Sequence, residues 1–234
     1  MIQEPPAASL KLDTMILASQ SSARRAMLSA AGVAFEAVSP NVDEEGIRDA
    51  LLARGAPPRD IADALAETKA VKLSRRFPTA LVLGADQILV TADGEILDKP
   101  GTRDRAADQL RALMGKQHQL ISAAVIAQNG EAVWRKIDTA RLTMRPLSDA
   151  FIQTYLDAEA DHVIHCVGAY RIEALGAQLF TRVAGDHFTI QGLPLLAVLD
   201  FLRARGVLAI SVPFTGLRRA GVSPAPKFCQ CITT

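Results

Sequence analysis

The stretch Leu81-Val82-Leu83-Gly84-Ala85-Asp86-Gln87-Ile88-Leu89-Val90 constrains the fold more than any other. It is apolar at both alternating sets of positions, so a strand there is covered on both faces. A doubly covered strand calls for helices on either side of a sheet, which is the layered α/β arrangement. The run also contains Asp86, and a carboxylate inside a buried strand is costly unless a cation neutralises it. Whatever neutralises Asp86 therefore bears on the chemistry.

The remaining pattern supports the same class. Met15 to Ala18 reads as a short buried strand, followed by a Ser/Gln loop and a helix from Ser22 to Ala31 closed by Gly32. Phe35 to Val38 is a second strand, and Asn41 to Glu45 is loop-like. Pro57-Pro58 opens a long helix to about Phe77, where proline suits the first turn. Thr102 caps a helix that Gly115 ends. Leu120 to Ala127 and Glu131 to Met144 flank Asn129-Gly130, a strong hairpin signal. Ser148 caps a helix to Ala158, Leu175 to Val183 is mostly extended, and Leu193 to Arg205 is a closing amphipathic helix. Helices alternating with strands, plus one hairpin, predict an α/β protein with an extended mixed β-sheet flanked by helices. Residues 1–14 read as an N-terminal extension, 15–208 as the folded domain and 209–234 as a mobile tail.

Composition removes several functions. Twenty-six Lys and Arg against 25 Asp and Glu leave a formal charge of +1, with no pull toward nucleic acid or an anionic membrane. No apolar run reaches membrane-spanning length, and the first residues lack a secretory h-region, so a soluble cytoplasmic protein is expected. Three cysteines, Cys166, Cys229 and Cys231, give neither a disulfide framework nor a zinc spacing. The four histidines show no H-E-x-x-H pattern, and His118, where a strand begins, reads as structural. G-x-S-x-G, Walker and G-x-G-x-x-G motifs are absent.

The residues left to carry chemistry are few. Arg24 and Arg25 stand in the first turn of a helix, where free N–H groups and guanidinium forks suit phosphate; two solvated arginines are the plainer alternative. Lys69 lies four residues after Leu65 and four before Leu73, on the apolar stripe of its helix. A lysine there either snorkels outward or meets an anion. Asp86 shares a strand face with Gly84, which leaves backbone accessible beside it. It is a structural carboxylate, a Mg²⁺ ligand or a general base, with Glu44 the candidate second ligand; the plainer alternative for that acidic segment is a solvated helix N-terminus. Lys99, between Asp98 and Pro100, offers a point charge for phosphate.

These segments, in this order, resemble the Maf family of nucleoside triphosphate pyrophosphatases. The family's L-A-S-x-S-P-x-R opening is matched by Leu17 to Arg24, with Ser22 in place of the usual proline. Its D-E loop is matched by Asp43-Glu44, its helical lysine by Lys69-Ala70, and its G-A-D strand by Gly84-Ala85-Asp86. Lys99-Pro100, Leu113 to His118, Gly168-Ala169-Tyr170 and Gly185 to Pro194 match the later elements, with Asp98 where a small residue or Glu is usual. The resemblance covers Met15 to Gly206. It implies a Maf or ITPase-like fold, often a homodimer, and hydrolysis of a nucleoside triphosphate to monophosphate and pyrophosphate with a divalent cation, Mg²⁺ or Mn²⁺. On that basis Asp86 is the catalytic carboxylate and a metal ligand, and Glu44 a second metal ligand. Ser19, Arg24, Lys69 and Lys99 bind phosphate.

The resemblance also bears on the base. Similar proteins divide into a branch acting on dTTP and UTP and a branch acting on 7-methyl-GTP. Gln87 and Glu173 match the second branch, and a Glu173 carboxylate can accept from guanine N–H groups. Ala23 matches neither branch, and cannot stack on a cationic base as a Trp would. A modified or purine nucleotide is the expected substrate; dTTP/UTP hydrolysis and a non-catalytic nucleotide-binding regulator of cell division are the alternatives.

Overall fold

Residues 15–208 are described by a computed structural model; the extension over 1–14 and the tail over 209–234 lie outside the described residues. β1 (Met15–Ala18) is followed by α1 (Ser22–Ala30), whose N-cap Ser21 accepts from Arg24 N. β2 (Phe35–Ala37) leads to α2 (Glu44–Ala53) and α3 (Pro58–Arg76). Then come β3 (Val82–Val90), the two-residue β4 (Ile96–Leu97) and α4 (Arg103–Leu113), capped by Thr102. β5 (Gln117–Gln128) and β6 (Glu131–Met144) form the hairpin, with Asn129 and Gly130 both at positive φ as a tight two-residue turn requires. α5 (Asp149–Val163), capped by Ser148, is followed by β7 (Phe180–Ala184), the single-turn α6 (His187–Ile190) and α7 (Leu195–Ala204).

The sheet has seven strands in the order β2-β1-β3-β5-β6-β7, with β4 beside the end of β3. β1 runs parallel to β2 and β3, while β3, β5, β6 and β7 pair antiparallel, so the sheet is mixed. β3 is central. On one face Ile88, Ala123 and Val125 meet Ile61, Leu65, Ala66 and Ala70 of α3. On the other, Leu83, Ala85, Ala124 and Ile126 meet α1 and α7. Each such Leu or Ile, fully buried, contributes roughly 2 kcal/mol.

Three local readings are corrected. Asn41 to Glu45 is not all loop: the plainer alternative holds, since Glu44 opens α2 and Asp43 caps it by accepting from Gly46 N at 3.0 Å. The weakly apolar face of α2, Ile47 and Leu51 only, hides this helix from periodicity. Leu175–Leu179 is a 3-10 turn, and extension begins only at Phe180, where the β-branched Thr181 and Val183 enter. Gly84 does not leave its backbone accessible. A Cβ there would lie 2.2 Å from Ala66 O and 2.7 Å from Ala70 N, so the glycine admits the backbone of α3 itself.

Candidate active site

That close approach of α3 to β3 builds the site. Lys69 projects from the inward stripe of α3 and is 4% exposed; Asp86 projects from β3 toward it and is 8% exposed. Lys69 Nζ donates to Asp86 Oδ1 at 2.7 Å. The same ammonium lies 2.7 Å from Glu44 Oε2, at the start of α2. Three elements thus converge on one buried cation. Burial pushes the Asp86 carboxyl above its ordinary value, against the opposing pull of Lys69 and Arg24, while Glu44 adds to the rise.

Arg25 points outward, its side chain donating among the described residues only to Gln20 O, whereas Arg24 lies on the buried side of α1. Its Nε donates to Gly192 O at 2.8 Å, and its Nη1 to Ala85 O at 3.0 Å and Ser19 Oγ at 3.2 Å. Gly192 sits at φ +97, so the loop before α7 turns its carbonyl to the guanidinium at no side-chain penalty. Desolvation lowers the Arg24 pKa, and Asp86 and Glu44 oppose the change. The guanidinium therefore ties α1, β3 and the Gly192 loop together, and its Nη2 makes no hydrogen bond within the described residues.

Not every sequence candidate joins this cluster. Lys99 is exposed, with no hydrogen bond or ion pair to another described residue, and its charge acts on Cys166. Glu173 is exposed near Arg171, which itself forks onto the buried Glu159 at 2.7 and 3.0 Å. Ala23 is half-buried in the first turn of α1. Gln87 faces away from Asp86, because successive strand residues alternate. Its Nε2 donates to Ser122 Oγ and to the carbonyls of Thr189 and Ile190, within 3.1 Å each. The amide nitrogen of Gln87 is thus committed to holding α6 against the sheet.

Sequence reasoning missed Ser122, Thr189 and Gly192. Ser122 Oγ donates to Thr189 O at 2.8 Å, and both residues are fully buried. The one local signal was a serine inside the apolar run Leu120 to Ala127. His118 is buried against Tyr170 Oη at 2.8 Å, as its structural reading requires.

Two carboxylates sharing one ammonium form a hard oxygen donor set. Among the described residues no three His, Cys, Asp or Glu side chains converge to hold a metal alone. Mg²⁺ takes one or two protein carboxylates and completes its shell with water and phosphate oxygens, so Glu44 and Asp86 are the residues that could hold one. The two acids and the two cations Lys69 and Arg24 balance each other, so the site has no spare positive charge for a polyphosphate.

The Maf-like protein family profile matches residues 14–205, nearly all of the described chain. The chain belongs to the Maf-like protein family. Within it, a nucleoside triphosphate pyrophosphatase of Sphingopyxis alaskensis is 53% identical over 194 residues, spanning 83% of this chain and 98% of the relative. One of Caulobacter vibrioides is 49% identical over 201 residues, 86% of this chain and all of the relative. A 7-methyl-GTP pyrophosphatase of Rhizobium meliloti is 47% identical over 194 residues, 83% and 97% of the two chains. No helix among the described residues of this Maf-like protein is long and apolar enough to cross a membrane.

Proposed function

We propose that this Maf-like protein is a nucleoside triphosphate pyrophosphatase, a hydrolase that cleaves its substrate to a monophosphate and pyrophosphate. The observation that carries the reading is the single buried Lys69 Nζ holding Asp86 and Glu44 at 2.7 Å each. The names of its relatives support it.

Asp86 is the base: burial raises its pKa and strengthens it as a proton acceptor, and Lys69 and Arg24 oppose that rise. It orients a water and receives the proton as the water attacks phosphorus. Lys69 and the free Nη2 of Arg24 face the phosphate oxygens as negative charge gathers on the leaving pyrophosphate. Ser19, already bound to Arg24 Nη1, shapes the loop on which the phosphates rest. Glu44 and Asp86 would hold Mg²⁺ or Mn²⁺, and such an ion supplies the positive charge that a balanced site lacks. Lys99 enters as an outer phosphate contact, reaching in from its exposed turn.

The base we propose is a purine, such as methylated guanine, with Glu173 accepting its N–H groups and Ala23 bordering it. The Rhizobium relative's name supports this choice. Gln87 contributes by placing α6 rather than by donating to the base, since its amide hydrogens are already engaged. A cytoplasmic compartment and a homodimer complete the reading.

Pyrophosphate release over a panel of dTTP, UTP, GTP and 7-methyl-GTP, with and without Mg²⁺, tests both levels. Release that depends on the ion and disappears in a folded Asp86→Asn variant is expected. Near-normal turnover by that variant refutes the role of Asp86; a clear dTTP preference refutes the purine assignment alone.

A further inference from the structure

We infer that Arg48 is a positioning residue for Glu44, acting through its ion pair with Asp98; the inference rests on the reading of Glu44 given above. α2 is the most lightly held element at the site. None of its residues is fully buried, and only Ile47 and Leu51 pack against the core beneath α3. Helical spacing places Glu44, Ile47, Arg48 and Leu51 on one face, charged and apolar side chains in alternation. From that face Glu44 reaches Lys69, and Arg48, one turn on, reaches Asp98.

Asp98 is a firm anchor. Its backbone carbonyl accepts from Gln109 Nε2 of α4 at 2.7 Å, so the turn before Lys99 is tied to the body of the domain. Before α2, Lys72 of α3 donates to the carbonyl of Asn41, which sits at φ 45 with its Oδ1 accepting from Ser39 Oγ. Polar fastenings therefore hold the segment at both ends while apolar contact is slight.

The consequence appears when a triphosphate enters. Its oxygens compete with Glu44 for the Lys69 ammonium, and any weakening of that pair removes one of the three fastenings. Ile47, Leu51, Lys72 and the Arg48–Asp98 pair then keep α2 in register. The pair also joins the helix that carries Glu44 to the turn that carries Lys99, so the two move together.

If Arg48 sets the fraction of molecules with α2 in place, its loss lowers apparent affinity by that fraction and leaves turnover of bound substrate intact. A partly exposed ion pair shifts such a local equilibrium by up to about fivefold. The test uses Arg48→Met, which keeps the apolar stem, and the charge reversal Arg48→Asp with Asp98→Arg. For Arg48→Met the expected result is a KM for nucleoside triphosphate raised, by at most about fivefold, with kcat within about twofold of the parent and the protein still folded. Hydrogen exchange at the α2 amides accelerates by up to about fivefold in protein free of metal and nucleotide. The reversal restores KM. Arg103→Met, which breaks a surface pair to Asp157 on α5, changes neither KM nor α2 exchange.

Parental KM and unchanged α2 exchange in Arg48→Met overturn the inference, as does failure of the reversal to restore KM. Glu44→Gln separates the two levels. Lost activity there beside a silent Arg48→Met defeats only the positioning role, while parental activity in Glu44→Gln defeats the reading of Glu44 beneath it.

Discussion

Replacing Lys69 with Met is the sharpest test of how the site is held together. The substitution keeps a long apolar stem on α3 and deletes one charge. At 2.7 Å and an effective dielectric near 20, the lost attraction to Asp86 is roughly 6 kcal/mol. Part returns, because the ammonium no longer has to be kept from water, and breaking a buried pair usually costs about 3–5 kcal/mol. The carboxyl has an escape: it takes a proton. Its folded pKa, already raised by burial, rises further when its largest opposing partner is gone. The folded variant then binds a proton that the unfolded chain releases above its ordinary carboxyl range, so its stability falls as pH rises. The slope is about 1.4 kcal/mol per pH unit up to the new folded pKa. The expected outcome is a Lys69→Met penalty that grows as pH rises from the folded Asp86 pKa of the parent to the higher one of the variant, read from urea denaturation of both proteins across the pH range. Adding Asp86→Asn removes most of the penalty while leaving the enzyme inactive. An identical penalty at both ends of the pH range would refute the argument, because Asp86 would not be sensing Lys69.

Three further outcomes are expected. His118 is held neutral by burial, its pKa pushed down to about 4 from 6.5. The unfolded chain takes up that proton first, so the folded state loses about 3 kcal/mol as pH falls from 6.5 to 4, and His118→Phe flattens this part of a stability-versus-pH curve. Gly84→Ala drives a methyl into Ala66 O and Ala70 N, forcing α3 outward; a loss of about 3 kcal/mol or more in a denaturant melt is expected, with activity falling because Lys69 moves too. Arg24→Lys keeps the charge but cannot reach Ser19, Ala85 and Gly192 together, and kcat/KM for pyrophosphate release is expected to fall by more than about tenfold.

What could be read in the sequence was what short-range pattern controls. The doubly apolar strand, the proline-opened helix and the Asn-Gly hairpin each act through their own residues, and each stands where its pattern put it. The inward position of Lys69 followed from its spacing to Leu65 and Leu73, and the costly Asp86 was visible because charge is rare in such a strand. The partner of that charge was not visible, since residues 69 and 86 meet only through packing of α3 on β3. The same holds for Gln87 and α6, separated by about a hundred positions. α2 escaped because ion pairs, rather than an apolar stripe, hold it. Gly84 was given the wrong purpose: a missing side chain looks alike whether a ligand or a helix backbone fills the space.

Residues 85 to 87 show why fold and chemistry are hard to separate here. The Ala85 carbonyl lies in the plane of the strand and receives Arg24 from α1. Asp86 turns to one face and meets α3; Gln87 turns to the other and holds α6 and the loop toward Gly192. Gly192 returns its own carbonyl to Arg24, which closes the circuit. Strand alternation imposes this division, because a slip of one residue would send the acid to α6 and the amide to Lys69. The register that pairs Asp86 with Ala123 and Gln87 with Ser122 therefore fixes the core and the charges in one step. A variant that loosens the β3–β5 register should lose activity before it loses its secondary structure, because the apolar faces tolerate small shifts and a 2.7 Å ion pair does not.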